Sequence, residues 1–443
     1  MNRFICLLAF VAFATLLPLT TLSAQTSETE FAKKAQSNWH QWRGPDATGM
    51  ATGTPPTTWS ETENVAWKIE LPGEGSSTPI IWDEKLFVIA AVETDRQAEE
   101  DAKQHAEAKT KPTGNVFDFM VICLNKDTGK EIWKKVVTSA APHEGRHSST
   151  TYAAASPMTD GKHLYVSFGS YGIFCLTLDG KDVWDRDLGD MRTRRGWGEA
   201  VSPVIADGKI VVMWDQEDQS EIFTLDGSTG KTLWSKKRDE PTTWATPLPV
   251  SREGKTQIIT AGTNQVRSYD LESGELKWQS KGLTLNAIPC PVLNGDHAIC
   301  MSGYRGNQAI SIDLSDASSE SVKIDWQLQR DTPYVASPLL TKGRLYFVKS
   351  LNAILSCVDA DSGKPIFEVT RLPNMRSIYA SPVATENNIY VSSREGGTLV
   401  LANQPEFKVI ANNKLDGGID ASPAIVGDSI YIRTKTHLYR IKE

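Results

Sequence analysis

The chain has 443 residues, of which 40% are hydrophobic and 23% charged, enough apolar content to bury a large core and to exclude wholesale disorder. Its 47 Lys+Arg against 54 Asp+Glu give a net charge of −7, which argues against general nucleic-acid binding, since that needs a basic footprint. Length alone suggests two or three domains of roughly 150 residues each, a division that does not hold for a chain built from repeats.

Met1-Asn2-Arg3 is a short positive start, Phe4 to Leu19 is almost wholly apolar, and Thr20-Thr21-Leu22-Ser23-Ala24 is a run of small residues. This three-part layout predicts a secretory signal peptide over residues 1–24, with cleavage after Ala24. The alternative is an uncleaved membrane anchor, but the apolar run of 16 residues is interrupted by Pro18 and falls short of the roughly 20 that a spanning helix needs. Position 25 is Gln, so no lipid attachment is expected. The mature chain is therefore expected to be periplasmic or secreted, a monomer, and without a membrane span. Residues 25–58 read as an N-terminal tail and arm.

Next comes a repeat. A small residue followed by Pro recurs at Thr78-Pro79, Ser156-Pro157, Ser202-Pro203, Thr246-Pro247, Cys290-Pro291, Ser337-Pro338, Ser381-Pro382 and Ser422-Pro423, and the prolines are separated by 78, 46, 44, 44, 47, 44 and 41 residues. Each Pro opens an apolar run, as the first residue of a strand allows because Pro has no N–H to donate. A turn and a second alternating strand follow, as in "PVIADGKIVVMW" from Pro203, where Asp-Gly accepts the positive φ of a hairpin. The units end in a shared pattern, plainest in Asp226-Gly-Ser-Thr-Gly-Lys-Thr-Leu-Trp234 and Asp270-Leu-Glu-Ser-Gly-Glu-Leu-Lys-Trp278. Its Asp and Gly predict a tight turn, and its Trp is read as core. Four short antiparallel strands in about 44 residues describe one propeller blade.

The long first interval is an insertion over residues 93–118. Its "ETDRQAEEDAKQHAEAKTK" is rich in Ala, Glu and Lys with no apolar face to dock. It is read as a short exposed helix or loop that is mobile or touches a partner. The last unit, from Pro423, has sequence for three strands only, whereas "NVAWKIEL" near the start supplies a Trp-bearing strand with nothing before it to pair with. The predicted architecture is therefore all-β, an eight-bladed propeller over residues 59–443 whose N-terminal strand completes the last blade. Closing the ring removes exposed sheet edges.

Five cysteines follow the predicted cleavage site, with no C-x-x-C. Cys123, Cys175 and Cys357 occupy equivalent places in different repeats and are read as buried small hydrophobes. Cys290 and Cys300 flank one short hairpin, and their pairing is open.

The repeats resemble those of the PQQ-like, or quinoprotein-type, β-propellers over roughly residues 59–443, and "NWHQWRGPDATG" (38–49) resembles an N-terminal signature of exported bacterial members with no assigned chemistry. The resemblance implies two kinds of function, because one fold serves both. One is a BamB-like, non-enzymatic scaffold of outer-membrane assembly. The other is PQQ-dependent oxidation of alcohols or sugars. Alcohol dehydrogenases of this type carry a disulfide between adjacent cysteines over the quinone, a carboxylate-and-amide calcium site and a catalytic Asp. This chain has no Cys-Cys pair, and the Glu, Asn and Asp set finds no matching positions. PQQ is thus implied by resemblance only, and no cofactor is expected. His143 and His147 stand four apart in a loop segment, a weak zinc pattern, and no H-E-x-x-H, G-x-S-x-G or Walker loop occurs. No catalytic or metal residue is assigned. A non-enzymatic binding or protein-interaction scaffold in the cell envelope is expected; its partner is an envelope protein, a peptide or an acidic glycan. A hydrolase or lyase on the same face is a third reading.

The candidate site is the face where links between blades converge on the channel. The first two links, from Trp133 to Pro157 and from Trp184 to Pro203, are 24 and 19 residues long, against 12 to 15 elsewhere. The first carries His147. The second carries Arg192, Arg194 and Arg195, then Trp197 and Glu199, a combination that suits carboxylates, sulfated sugars or phosphates. The structural alternative is that these arginines pair with Asp185, Asp187, Asp190 and Glu199 on a solvated loop. Trp244, Asn286, Tyr334, Tyr379 and Asp420 lie just before later Pro openings, and Tyr304 and Arg305 come from a link between a second and a third strand. Together they could ring the channel mouth with stacking and hydrogen-bonding groups, or simply fill the funnel and tie blades together.

Overall fold

Every small-residue-Pro step leads into the innermost strand of a four-stranded antiparallel sheet, and there are eight such sheets in the computed structural model. It describes residues 30–99, 107–315, 317–318 and 322–443. The expected signal peptide, the start of the tail and residues 100–106 of the insertion lie outside the described residues.

Blade 3 shows how the sequence makes a blade. Val204–Ala206, Lys209–Trp214, Ser220–Asp226 and Thr232–Arg238 pair in that order. Asp207 and Gly208 close the first hairpin with φ of 47° and 71°, the positive values that a two-residue turn between twisted strands demands. Ile210 to Trp214 are all buried because neighbouring blades cover both faces of that strand, whereas the outer strand is largely exposed. The core therefore lies between blades: Ile210, Val212 and Trp214 of blade 3 pack with Tyr165 and Cys175 of blade 2.

The ring closes by pairing strands far apart in sequence. Val65–Glu70 lies antiparallel to His437–Ile441, with Trp67 opposite Arg440, and so supplies the outer strand of blade 8. Trp67 then docks on blade 1 as other repeat tryptophans dock on their neighbours. The indole N–H groups of Trp67, Trp133, Trp184, Trp234 and Trp326 donate to the carbonyls of Lys126, Leu178, Gly227, Leu271 and Ala360 at the turns of the following blades. Each ring also covers the turn glycine: a Cβ on Gly230 would lie 2.7 Å from Trp184, and one on Gly363 would lie 2.8 Å from Trp326. The Gly of the repeat is thus required by close approach as well as by its positive φ.

The small residue before each Pro has an equally specific job. The N–H of Thr78 donates to Ser156 Oγ, Ser156 to Ser202, Ser202 to Thr246, Thr246 to the Cys290 thiol, Cys290 to Ser337, Ser337 to Ser381 and Ser381 to Ser422, at 2.8 to 3.3 Å. One blade's backbone is thereby fastened to the next blade's side chain around the channel. The chain of bonds breaks between blades 8 and 1, where the Thr78 hydroxyl is buried without a partner. There Arg433 Nη1 bridges instead, donating to Ser77 Oγ at 2.8 Å and to the Ile89 carbonyl at 2.9 Å.

Residues 38–49 enter the ring from the side opposite the funnel described below. Trp39 pairs with Ile81 of blade 1, His40 accepts from Thr159 N–H of blade 2, Arg43 Nη2 donates to the Pro338 carbonyl of blade 6, and Ala51 N–H donates to Ala384 of blade 7. Trp42 lines the funnel on one side and a second cavity on the other, and so forms the floor between them. All five described cysteines are buried and free, Cys290 and Cys300 included. Burial raises the Cys300 thiol to about 12.

Candidate functional site

The mouth of the channel is a funnel with a cavity volume of about 220 Å³ above the ring of Ser and Thr hydroxyls. Trp197, Trp244, Tyr334 and Tyr379 line its wall, and Tyr304 joins Trp197 to Tyr334 from outside the lining. Trp244 faces Trp197 at 6.4 Å between ring centroids, Trp197 meets Tyr304 edge-on at 6.0 Å, and Tyr304 stacks on Tyr334 at 5.0 Å. These four rings come from the links between blades 2 and 3, 3 and 4, and 5 and 6 and from a link within blade 5, and they join in one run of contacts, an aromatic shelf, with each contact worth about 0.5–1.5 kcal/mol beyond burial. Trp244 is held by its indole N–H to the Gly198 carbonyl and by its backbone N–H to Ala287. His147 meets the far edge of Trp197 at 5.9 Å and shares a 2.7 Å hydrogen bond with Ser149.

Cations overlie this shelf. Arg195 sits 5.6 Å above the Trp197 ring and Arg305 5.6 Å above Tyr304. Across the funnel Arg394 lies 4.3 Å over Tyr379 and pairs with Asp420 at 2.6 Å. Arg394 was not singled out from sequence. Its signal was available, because it sits in the link between the second and third strands of blade 7, the same kind of link that gives Tyr304 and Arg305 in blade 5.

The other candidates stand apart from the shelf. Arg192 turns away to Asp218 at 2.7 Å and to the Glu217 carbonyl, so it does pair with a carboxylate, though not with one of the four in its own segment. Arg194 is positioned by its backbone N–H on Thr242, and its guanidinium forms no ion pair with a described residue. Asn286, at φ 57°, is buried behind the wall with its amide against the Tyr334 hydroxyl. Glu199 points inward, accepting from Ser170 N–H at 2.8 Å and Ser170 Oγ at 2.6 Å. Burial pushes its carboxyl up to about 7. Glu144 accepts from Thr193 N–H and from its hydroxyl. The link that presents Arg194, Arg195 and Trp197 is thus pinned by a carboxylate at each end. The far arm of the insertion backs it as well, since Lys109 N–H donates to Arg195 and Thr110 to Gly196.

The residues present do not fit a calcium-bound quinone. Asp420 is engaged by Arg394 and Glu199 by Ser170, and none of the five buried thiols is paired. Among the described residues, the one trio of side chains able to converge on a metal ion is His297, Asp313 and Asp325, on the outer hairpins of blade 5, where Lys323 already pairs with both aspartates. His143 and His147 do not converge either: His143 Nε2 is 2.9 Å from the Met191 carbonyl, while His147 faces Ser149.

Comparison with known proteins agrees with this architecture. The structure resembles BamB from Moraxella catarrhalis with TM-score 0.53 and 12% identity, covering 80% of this chain and 98% of that one. It resembles the quinohemoprotein alcohol dehydrogenase of Comamonas testosteroni with TM-score 0.63 and 10% identity over 94% of this chain and 84% of that one. A europium-containing methanol dehydrogenase matches with TM-score 0.62 and 11% identity over 92% of each chain. Identities this low show a shared fold and nothing of shared chemistry. No curated protein matches the sequence. The family model described as outer membrane protein assembly factor BamB matches residues 118–369, more than half of the chain, and the protein belongs to that family of propellers.

Proposed function

We propose that this propeller is a non-enzymatic binding module of the cell envelope, exported to the periplasm or beyond, whose funnel docks a peptide segment of an envelope protein or an acidic glycan. The observation that carries the reading is the shelf of Trp244, Trp197, Tyr304 and Tyr334 with Arg195 and Arg305 over its faces. Stacked rings offer flat apolar area to a sugar or a side chain at little entropic cost, and guanidiniums beside them select for negative charge. The floor made by Trp42 and the Ser/Thr ring keeps such a ligand at the mouth, where a partner protein can reach it. The test is capture of envelope extracts, acidic oligosaccharides and peptides by the full chain and by Trp197→Ala and Tyr304→Ala. Binding that both variants abolish supports the funnel; binding that neither changes refutes it. The alternative, PQQ-dependent oxidation of alcohols or sugars, has a direct test in the same protein. Adding the quinone with calcium and finding dye reduction by an alcohol or a sugar would replace the binding-module reading.

A further inference from the structure

Beside the funnel, at the seam between blades 8 and 1, lies a third cavity of about 220 Å³. It shares Ser76, Ser149, Thr150 and Asp420 with the funnel. We propose that this seam cavity is an anion site, built from Arg433, Arg146 and Lys435, for an oxyanion group such as sulfate, phosphate or carboxylate.

Arg433 carries an uncompensated charge. Arg433 is 2% exposed, and its partners are the neutral Ser77 and the Ile89 carbonyl. No described carboxylate pairs with it. Buried Arg238 and Arg267 do have carboxylate partners, Arg238 at 2.7 Å from Asp215 and Arg267 with Glu240 and Asp239, whereas buried Arg43 is met by the Ala47, Thr48 and Pro338 carbonyls and does not border this cavity. A guanidinium taken out of water without a counter-charge is costly, and its fork of donors matches oxyanions.

Two buried donors on lining residues are unmet. Arg433 Nε and Arg146 Nε are both buried without a hydrogen-bond partner, and both residues line this cavity. Unmet buried N–H groups of this kind point to a missing acceptor. Lys435, exposed at the rim, forms no ion pair with a described residue and adds a third cation.

The charge balance around the cavity is positive. The lining carboxylates, Glu74 and Asp420, are each already taken, Glu74 by Arg146 and Asp420 by Arg394. Counting Arg394, four cations meet two carboxylates. The inference stands without the funnel reading, because the site needs no aromatic shelf. The shared lining does allow one ligand to reach from the shelf into the seam.

The test is calorimetric titration of the full chain with sodium sulfate, and in a separate arm sodium acetate, against sodium chloride at matched ionic strength. Saturable binding of sulfate or acetate is expected, and the preferred arm assigns tetrahedral or planar oxyanions. Lys435→Glu lies at the exposed rim and leaves the fold intact; it should weaken binding at least about tenfold, as reversing a charge beside a bound anion does. Arg433→Gln should abolish binding, with circular dichroism checking that the seam is still closed. No saturable binding of either anion overturns the proposal. So does an isotherm that Lys435→Glu leaves unchanged, since the anion then sits elsewhere. Either failure leaves the aromatic variants of the funnel to be judged separately.

Discussion

The ring of Ser, Thr and Cys side chains makes a prediction of opposite sign at two copies of one motif. Ser381 is 3% exposed, and its hydroxyl accepts the Ser337 N–H at 2.9 Å. Ser381→Ala removes that acceptor and strands a buried backbone donor, whose lost bond and desolvation together cost about 1–3 kcal/mol. Thr78 is 1% exposed, and its hydroxyl has no partner. Thr78→Val removes an unmet polar atom while keeping the shape, so it should be neutral or stabilising by up to about 1 kcal/mol. The assay is urea unfolding of both variants, read at the midpoint with the slope unchanged, so that the shift reports stability rather than a changed unfolded state. Ser381→Cys should recover most of the loss, because Cys290 already fills this role in blade 5 with its sulfur 3.1 Å from Thr246 N. Equal losses at Thr78 and Ser381, or no loss at Ser381, would refute the claim that inter-blade acceptance is what selects these residues.

Gly230→Ala should cost about 2–4 kcal/mol, since its Cβ meets the Trp184 ring at 2.7 Å on a backbone at φ 69°, whereas Gly208→Ala, at φ 71° but with open space around it, should cost only about 1 kcal/mol; thermal melts separate the two. Glu199 holds its proton to about 7 in the folded chain against an ordinary 4.5, so between these values the folded state binds a proton that the unfolded state releases, and stability should fall as pH rises through that window. Glu199→Gln should flatten that slope in melts recorded from pH 4.5 to 7.5, and an unchanged slope would assign it to other groups. Alkylation of the native protein should leave Cys123, Cys175, Cys290, Cys300 and Cys357 unlabelled, and denaturant without reductant should expose all five; labelling that needs reductant would contradict the free thiols.

Much of this molecule was legible in its sequence, because a propeller repeats its constraints. Proline spacing near 44 residues gave the blades, and the orphan strand around Trp67 gave the closure, since a three-stranded last unit and an unpaired first strand have one simple solution. The reasons behind the motifs were not legible. A Ser before Pro reads as a turn residue until its hydroxyl is seen to accept from the preceding blade, 44 positions away in the case of Ser381. The same limit governs the site. Trp197, Trp244, Tyr304 and Tyr334 could be placed on one face by link position, but their stacking depends on how eight links converge. Link position likewise put Arg192 beside Arg195, although one turns to Asp218 and the other to Trp197. The floor formed by Trp42 was hidden for a different reason: an arm without periodicity carries no signal of where it docks.

The latch has a consequence for how the molecule is made. The edge of Val65–Glu70 waits for His437–Ile441, so the circle cannot shut until about 370 further residues have been made. Until then the nascent array presents an unsatisfied strand at each extremity, a template for mispairing with other chains. Assembly of this kind is slow, because its decisive contact joins points far apart along the backbone. It favours a route in which the blades form first and the ring closes in one late step.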